Sequence, residues 1–196
     1  MINIKNILLT LALVSTSTYA NDTSSKADIE GFNKTLTLQG ITFHVTCPNN
    51  SSLNQLTITP SGLEGVNETI SKEIDGSVTG VEIADLNADG SPEIYVYVNS
   101  AGSGAYGSVV GYAANHKKSL SDIYMFPLSD DAKNSKGYMG HDKFSISKNV
   151  LKRSFPIYKK SDSNAEPKGG TRVLDYKLVA GEASWQLKVV KREDSK

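Results

Sequence analysis

Glu93-Ile-Tyr-Val-Tyr-Val98 decides the fold. Side chains alternate across an extended chain, so Ile94, Val96 and Val98 share one face while Tyr95 and Tyr97 share the other. β-Branched and aromatic residues in that order read as a strand. Working outward, the same period of two recurs at Ile41-Thr-Phe-His-Val-Thr-Cys47 and at Leu56 to Thr59. Arg172 to Leu178 sets Leu174, Tyr176 and Leu178 on one face, Ala180-Gly-Glu-Ala183 turns the chain, and Trp185, Leu187 and Val189 continue inward as the return arm of a hairpin. Turn signals separate the runs: Pro60-Ser-Gly62, Asp75-Gly76, Asp89-Gly90 and Gly169-Gly170. No stretch carries a long amphipathic helix with caps, and residues 112–120 are assigned at most one short helical turn. No sequence repeat supports a propeller or solenoid. The expected architecture is all-β: a single antiparallel domain, a sandwich or a barrel.

The ends read differently. Lys5 gives a positive start, Ile7 to Val14 is an apolar run too short to span a bilayer, and Ser15 to Ala20 is small and polar. That order is the signature of an export signal. The expected organisation is a signal peptide over 1–20, a flexible mature N-terminus over 21–33, the β domain over 34–191 and a tail over 192–196. The mature protein is expected to be either periplasmic or released.

Composition excludes several classes. Lys and Arg number 21 and Asp and Glu also 21, so the formal charge is zero, and the basic residues form no stripe suited to nucleic acid. No second apolar run suits insertion into a membrane. The single cysteine, Cys47, cannot form an intrachain disulfide and continues the apolar alternation of Ile41, Phe43 and Val45, so it reads as a core residue. An exported sandwich also has edge strands to cover, which a homodimer would do.

Several groupings could carry chemistry. Asp85-Leu-Asn-Ala-Asp-Gly-Ser-Pro-Glu93 has the spacing D-x-N-x-D-G-x-x-E, the way a calcium loop begins. The twelfth position is Val96 rather than a glutamate, which excludes an EF-hand. The favoured reading is a strand–turn–strand junction in which Asp85, Asn87 and Asp89 close Asx turns and Gly90 takes a positive φ. Gly102-Ser-Gly-Ala-Tyr-Gly107 matches G-x-G-x-x-G, but Ser108-Val-Val-Gly-Tyr-Ala113 continues as a strand, not as the helix a dinucleotide site needs. The segment Asn99 to Ser108 reads better as a presented loop, small and polar apart from the Tyr106 ring. His44, His116 and His141 fall at no metal-ligand spacing, and no nucleophile elbow is present. The sequence therefore assigns no catalytic residue, no cofactor and no metal.

Taken together, Ala84 to Tyr97, Gly102 to Gly107, Gly137-Tyr-Met-Gly-His-Asp142, Arg153-Ser-Phe-Pro-Ile-Tyr158, Asp162-Ser-Asn-Ala165, Gly169-Gly-Thr-Arg172 and Tyr176-Lys-Leu178 resemble, in order and spacing, the periplasmic inhibitors of invertebrate-type (I-type) lysozyme. Residues 21–75 carry little of the resemblance. It implies a β-sandwich without catalysis that inserts an S-G-x-Y loop into the lysozyme cleft. Carried onto this chain, that loop is Ser103, Gly104, Ala105 and Tyr106, with Ser103 and Tyr106 as contacts and Gly104 between them. Asn99, Lys117, Tyr138 and His141 are polar candidates for a surrounding shell. The competing readings are a calcium- or glycan-binding module of the cell envelope, resting on Asp85 to Glu93 and exposed tyrosines, and a hydrolase, resting only on a supply of polar residues.

Overall fold

The computed structural model describes residues 31–196, so the expected signal peptide and most of the loose segment after it lie outside the described residues. Twelve strands follow in order: β1 Phe32–Leu38, β2 Ile41–Cys47, β3 Leu53–Ser61, β4 Ile70–Asp75, β5 Ser77–Ala84, β6 Glu93–Asn99, β7 Gly107–Asn115, β8 Ser119–Met125, β9 Lys143–Ser147, β10 Val150–Pro156, β11 Thr171–Ala180 and β12 Trp185–Ser195. One 3₁₀ turn, Leu128–Asp130, is the only helical element among the described residues. The first four strands form one sheet in the order β1-β2-β3-β4, and the rest form a second in the order β5-β6-β7-β8-β12-β11-β10-β9.

The all-β expectation holds, with one departure from antiparallel pairing. Trp185 to Leu187 of β12 run parallel to Ile123 to Met125 of β8. Parallel partners need a long connection, and residues 126–184 supply it. Three other expectations are corrected. Residues 112–120 hold no helical turn: β7 and β8 meet in a tight hairpin where Lys118 N–H donates to Asn115 O and both His116 and Lys117 take positive φ, the geometry that matches the twist of flanking strands. The supposed tail is also strand, since β12 pairs with β11 out to Thr171 opposite Ser195. Strand β1 likewise begins at Phe32, inside the segment expected to be loose.

Strand β6 is the hinge of the packing, and both of its faces are buried. Ile94, Val96 and Val98 join Phe43, Val45, Leu56 and Ile58 in the core between the two sheets. Tyr95 and Tyr97 face a second core with Leu151, Phe155, Leu174, Tyr176 and Leu178. The large sheet therefore curls until its far strands cover the back of its near ones. Tyr97 stacks on Phe144 of β9 at 5.4 Å between ring centres. Its edge strands approach as well, with Ile146 N–H of β9 donating to the Glu82 carboxylate of β5 at 2.9 Å. Each aliphatic side chain so buried contributes about 1.5–3 kcal/mol of transfer free energy. Cys47 lies in the core between the sheets, as its alternation predicts.

Candidate functional site

The connection between β6 and β7 is the presented loop. Ser100 closes its base twice: its N–H donates to Tyr106 O, and its hydroxyl accepts the Tyr106 N–H, each at 3.0 Å. Within it, Ala105 N–H donates to Gly102 O at 2.9 Å, and Ala105 takes the uncommon φ of +42°. Tyr106 points outward, with 50% of its surface exposed. Ser103 is exposed as well. The bonds that hold the loop run through its backbone and through Ser100, so neither the Ser103 nor the Tyr106 hydroxyl is spent in closing it.

Residues distant in sequence brace the loop. His141 N–H donates to Gly104 O at 2.8 Å and to Ala105 O at 3.2 Å. A Cβ on Gly140 would overlap the Gly104 carbonyl, and Gly140 has φ +89°, so only glycine lets the two segments meet. Asn164 donates its side-chain N–H to Ser103 O at 3.3 Å. Asp142 accepts the Gly107 N–H at 2.7 Å at the point where the loop enters β7. From beneath, the Tyr138 ring meets the Tyr106 ring edge to face at 5.5 Å. Gly104 serves the same pose, since a Cβ there would come within 2.5 Å of the Tyr106 ring.

A buried ion pair anchors the brace. Arg153 Nε donates to Asp142 at 2.6 Å with both side chains enclosed. Arg153 also donates to Gly107 O at 3.2 Å and to the Tyr138 hydroxyl at 2.7 Å, which itself donates to Asp142 at 2.5 Å. Burial works against the Arg153 charge, but the hydrogen bond and charge of Asp142 more than offset it and raise its pKa. Burial also pushes the Tyr138 phenol up, so it remains a donor at any physiological pH. The Arg153–Asp142 pair is joined to the loop through Gly107, which both residues bond, and through Tyr138, whose ring meets Tyr106.

Of the shell candidates, Tyr138 and His141 come to the loop, and Asn99 sits at its base opposite Gly107. Lys117 does not: it lies in the hairpin at the other end of β7, on the order of 25–30 Å along the strand. Sequence reading missed Asp142 and Arg153 as the anchor. Arg153 left a signal, because it occupies the inward position between Leu151 and Phe155 on β10, where a cation needs a partner. Beside Tyr106 a groove of about 590 Å³ extends along Val109, Met125, Phe126, Leu128 and Tyr138. Phe126 is exposed there, so the apolar surface continues past the loop.

The turn that precedes β6 forms the second cluster. Asp85 accepts the N–H groups of Asp89 and Gly90 at 3.0 and 2.9 Å, and Asp89 accepts that of Ser91 at 2.8 Å. Asn87, which accepts the Asp89 N–H at 3.2 Å, and Asp89 close the Asx turns expected from the sequence, whereas Asp85 reaches four and five residues on instead of two; Gly90 takes φ +82°. Glu93 is fully buried. Its Oε2 accepts the Leu86 N–H at 2.7 Å and the Tyr95 hydroxyl at 3.3 Å. Burial raises its carboxyl to about 7, while the bond from Leu86 pulls the other way.

Residues 67–136 match the family described as periplasmic lysozyme inhibitor of I-type lysozyme. The matched stretch contains both Asp85–Glu93 and Ser103–Tyr106. It ends before Tyr138, His141, Asp142 and Arg153, so the resemblance is shown for the loop's own residues and strand, while the brace lies beyond it. No curated protein and no solved structure matches the chain. Among the described residues no helix is long and apolar enough to cross a membrane.

Proposed function

We propose that this chain is a periplasmic, non-catalytic inhibitor of an I-type lysozyme, acting by setting the Ser103-Gly104-Ala105-Tyr106 loop into the enzyme's active-site cleft. One observation carries the reading: a phenol half exposed on a loop whose backbone is tied to two other segments, at His141 and Asn164, inside the stretch that matches the inhibitor family. A glycosidase cleft presents two carboxyl groups to its substrate. Serine and tyrosine hydroxyls can each donate to a carboxylate, and hydrogen bonds to a charged group contribute about 1.5–3 kcal/mol net. The Tyr106 ring adds an aromatic anchor for a groove shaped to hold a sugar, and truncating such anchors commonly costs about 2 kcal/mol or more.

The brace reduces the ordering cost of binding, which is otherwise about 0.5–1.5 kcal/mol for each side chain immobilised. The apolar groove past Tyr106 would extend the contact to Phe126. Nothing in the loop needs to be cut, so the inhibitor would survive each encounter. The test is titration of the purified mature chain into lysozymes of the invertebrate, chicken and goose types. The expected result is inhibition of the I-type enzyme that is mostly lost in the Ser103→Ala, Tyr106→Ala double variant, with thermal unfolding near the parent's. Full inhibition by that variant would overturn the loop assignment, and a flat titration against every I-type enzyme would overturn the function.

A further inference from the structure

The turn before β6 holds more than its own fold requires. One oxygen from each of Asp85, Asp89 and Glu93 lies within 4.8 Å of the others. Three carboxylates brought so close repel one another unless a cation or protons intervene. None of the ion pairs among the described residues involves any of the three. Hydrogen bonds account for the turn's shape but leave one atom out. Glu93 Oε1 is buried and has no hydrogen-bond partner among the described residues. A buried carboxylate oxygen without a donor costs its full desolvation, and a bare Asx turn gives no reason to bear that cost, because Oε2 alone already holds Leu86 and Tyr95.

From this geometry we propose that Asp85, Asn87, Asp89 and Glu93 form a calcium site, with Glu93 reaching the ion from inside the fold. All four donors are oxygens, the hard ligands that select calcium or magnesium over zinc or copper. Calcium–oxygen distances of about 2.3–2.6 Å let one ion bridge ligands 4.8 Å apart. The bonds already made leave room for it, since a carboxylate has about four lone-pair sites, and Asp89 uses two of its sites on Ser91 and Asn87. Backbone carbonyls and water would complete the six to eight oxygens that calcium takes. The ion would give Glu93 Oε1 its missing partner and cancel the repulsion of the three carboxylates. It would also tie the start of β6 to the end of β5, on the side of the fold opposite the presented loop.

The experiment uses the full mature chain freed of divalent ions by a chelator. Calcium chloride is titrated in by calorimetry and by thermal unfolding, and terbium is titrated in with excitation through tyrosine, since the Tyr95 hydroxyl lies 3.3 Å from Glu93. Expected are a single binding isotherm with its midpoint at about 0.1–1 mM, the range of extracellular calcium modules, a rise in unfolding temperature on adding calcium, and sensitised terbium emission that calcium displaces. Asp89 is exposed, so Asp89→Asn should fold as the parent does and weaken calcium binding at least tenfold. Glu93→Gln should abolish the response while keeping the bond to Leu86. Absence of heat, temperature shift and terbium emission at millimolar ion would overturn the site. An unchanged calcium response in Asp89→Asn would overturn its location, and a response to magnesium alone would overturn the choice of ion. The Ser103→Ala, Tyr106→Ala variant should bind calcium as the parent does, so this proposal and the inhibitory one fail separately.

Discussion

The two turns that flank β6 are built on opposite plans. Before the strand, the side chains of Asp85, Asp89 and Glu93 turn back to accept the turn's own N–H groups, Glu93 from inside the fold. After it, the backbone of residues 100–106 does the holding, with help from Ser100, His141 and Asn164, while Ser103 and Tyr106 point out. The first turn is closed by its side chains and can offer an interior charge to an ion. The second is closed by its main chain and can offer side chains to another protein. A turn displays what it does not need for its own closure.

The sharpest way to break that contrast is at the buried pair. Arg153→Met would leave Asp142 charged and enclosed, which typically costs about 3–5 kcal/mol. Chemical denaturation should register that loss, and lysozyme inhibition should fall with it because Gly107 and Tyr138 lose their anchor. Calcium binding should persist in whatever fraction stays folded. A variant with parental stability and full inhibition would mean that the loop stands without its brace.

Gly104→Ala probes display alone. The backbone there is not in the left-handed region, so alanine is tolerated, but its Cβ would meet the Tyr106 ring. The exposed ring can swing aside at little cost to stability, and its aim is lost. Inhibition should weaken by about tenfold, equivalent to roughly 1.4 kcal/mol, while the unfolding temperature stays close to the parent's. Unchanged inhibition would place Tyr106 outside the contact.

The smallest effect belongs to acid. Hydrogen bonds from Arg172 and then from Arg192 hold the Asp194 carboxyl below its ordinary value of 3.8. Arg172 in turn holds the carbonyls of Asn134 and Lys136, the segment leading into the brace. A depressed carboxylate contributes stability that is full above the ordinary value and is lost as pH falls through the lower folded one. Asp194→Asn should therefore be less stable than the parent near neutrality. The gap should close in melts run progressively below pH 4, and a gap that widens there would contradict the assignment. Partial exposure of Asp194 keeps the effect modest.

Local alternation made much of this legible. Ile41 to Cys47, Glu93 to Val98 and Leu174 to Leu178 were readable as strands because residue type alternates along each: the first and last bury every second side chain, and Glu93 to Val98 buries its aliphatic face in one core and its tyrosine face in the other. The S-G-A-Y loop could be read as presented because glycine and serine leave only one ring to project. Pairing was not legible. That β12 lies parallel to β8, or that the large sheet curls until β9 reaches β5, depends on contacts between segments far apart, and no local period encodes a partner. The brace was half legible: Tyr138 and His141 stood out as polar loop residues, but only the fold brings Asp142 and Arg153 beneath Gly107. At Asp85–Glu93 the spacing gave the turns, and the unpartnered Glu93 oxygen became visible only with its surroundings.

The close approach of Gly140 to Gly104 has a practical consequence. Segments centred on 104, 141 and 164 must arrive together before the phenol has a fixed direction. A short synthetic copy of residues 99–108 would keep the hydroxyls and lose the scaffold that aims them, so a mimic of this surface has to reproduce three crossings of the chain and not a linear epitope.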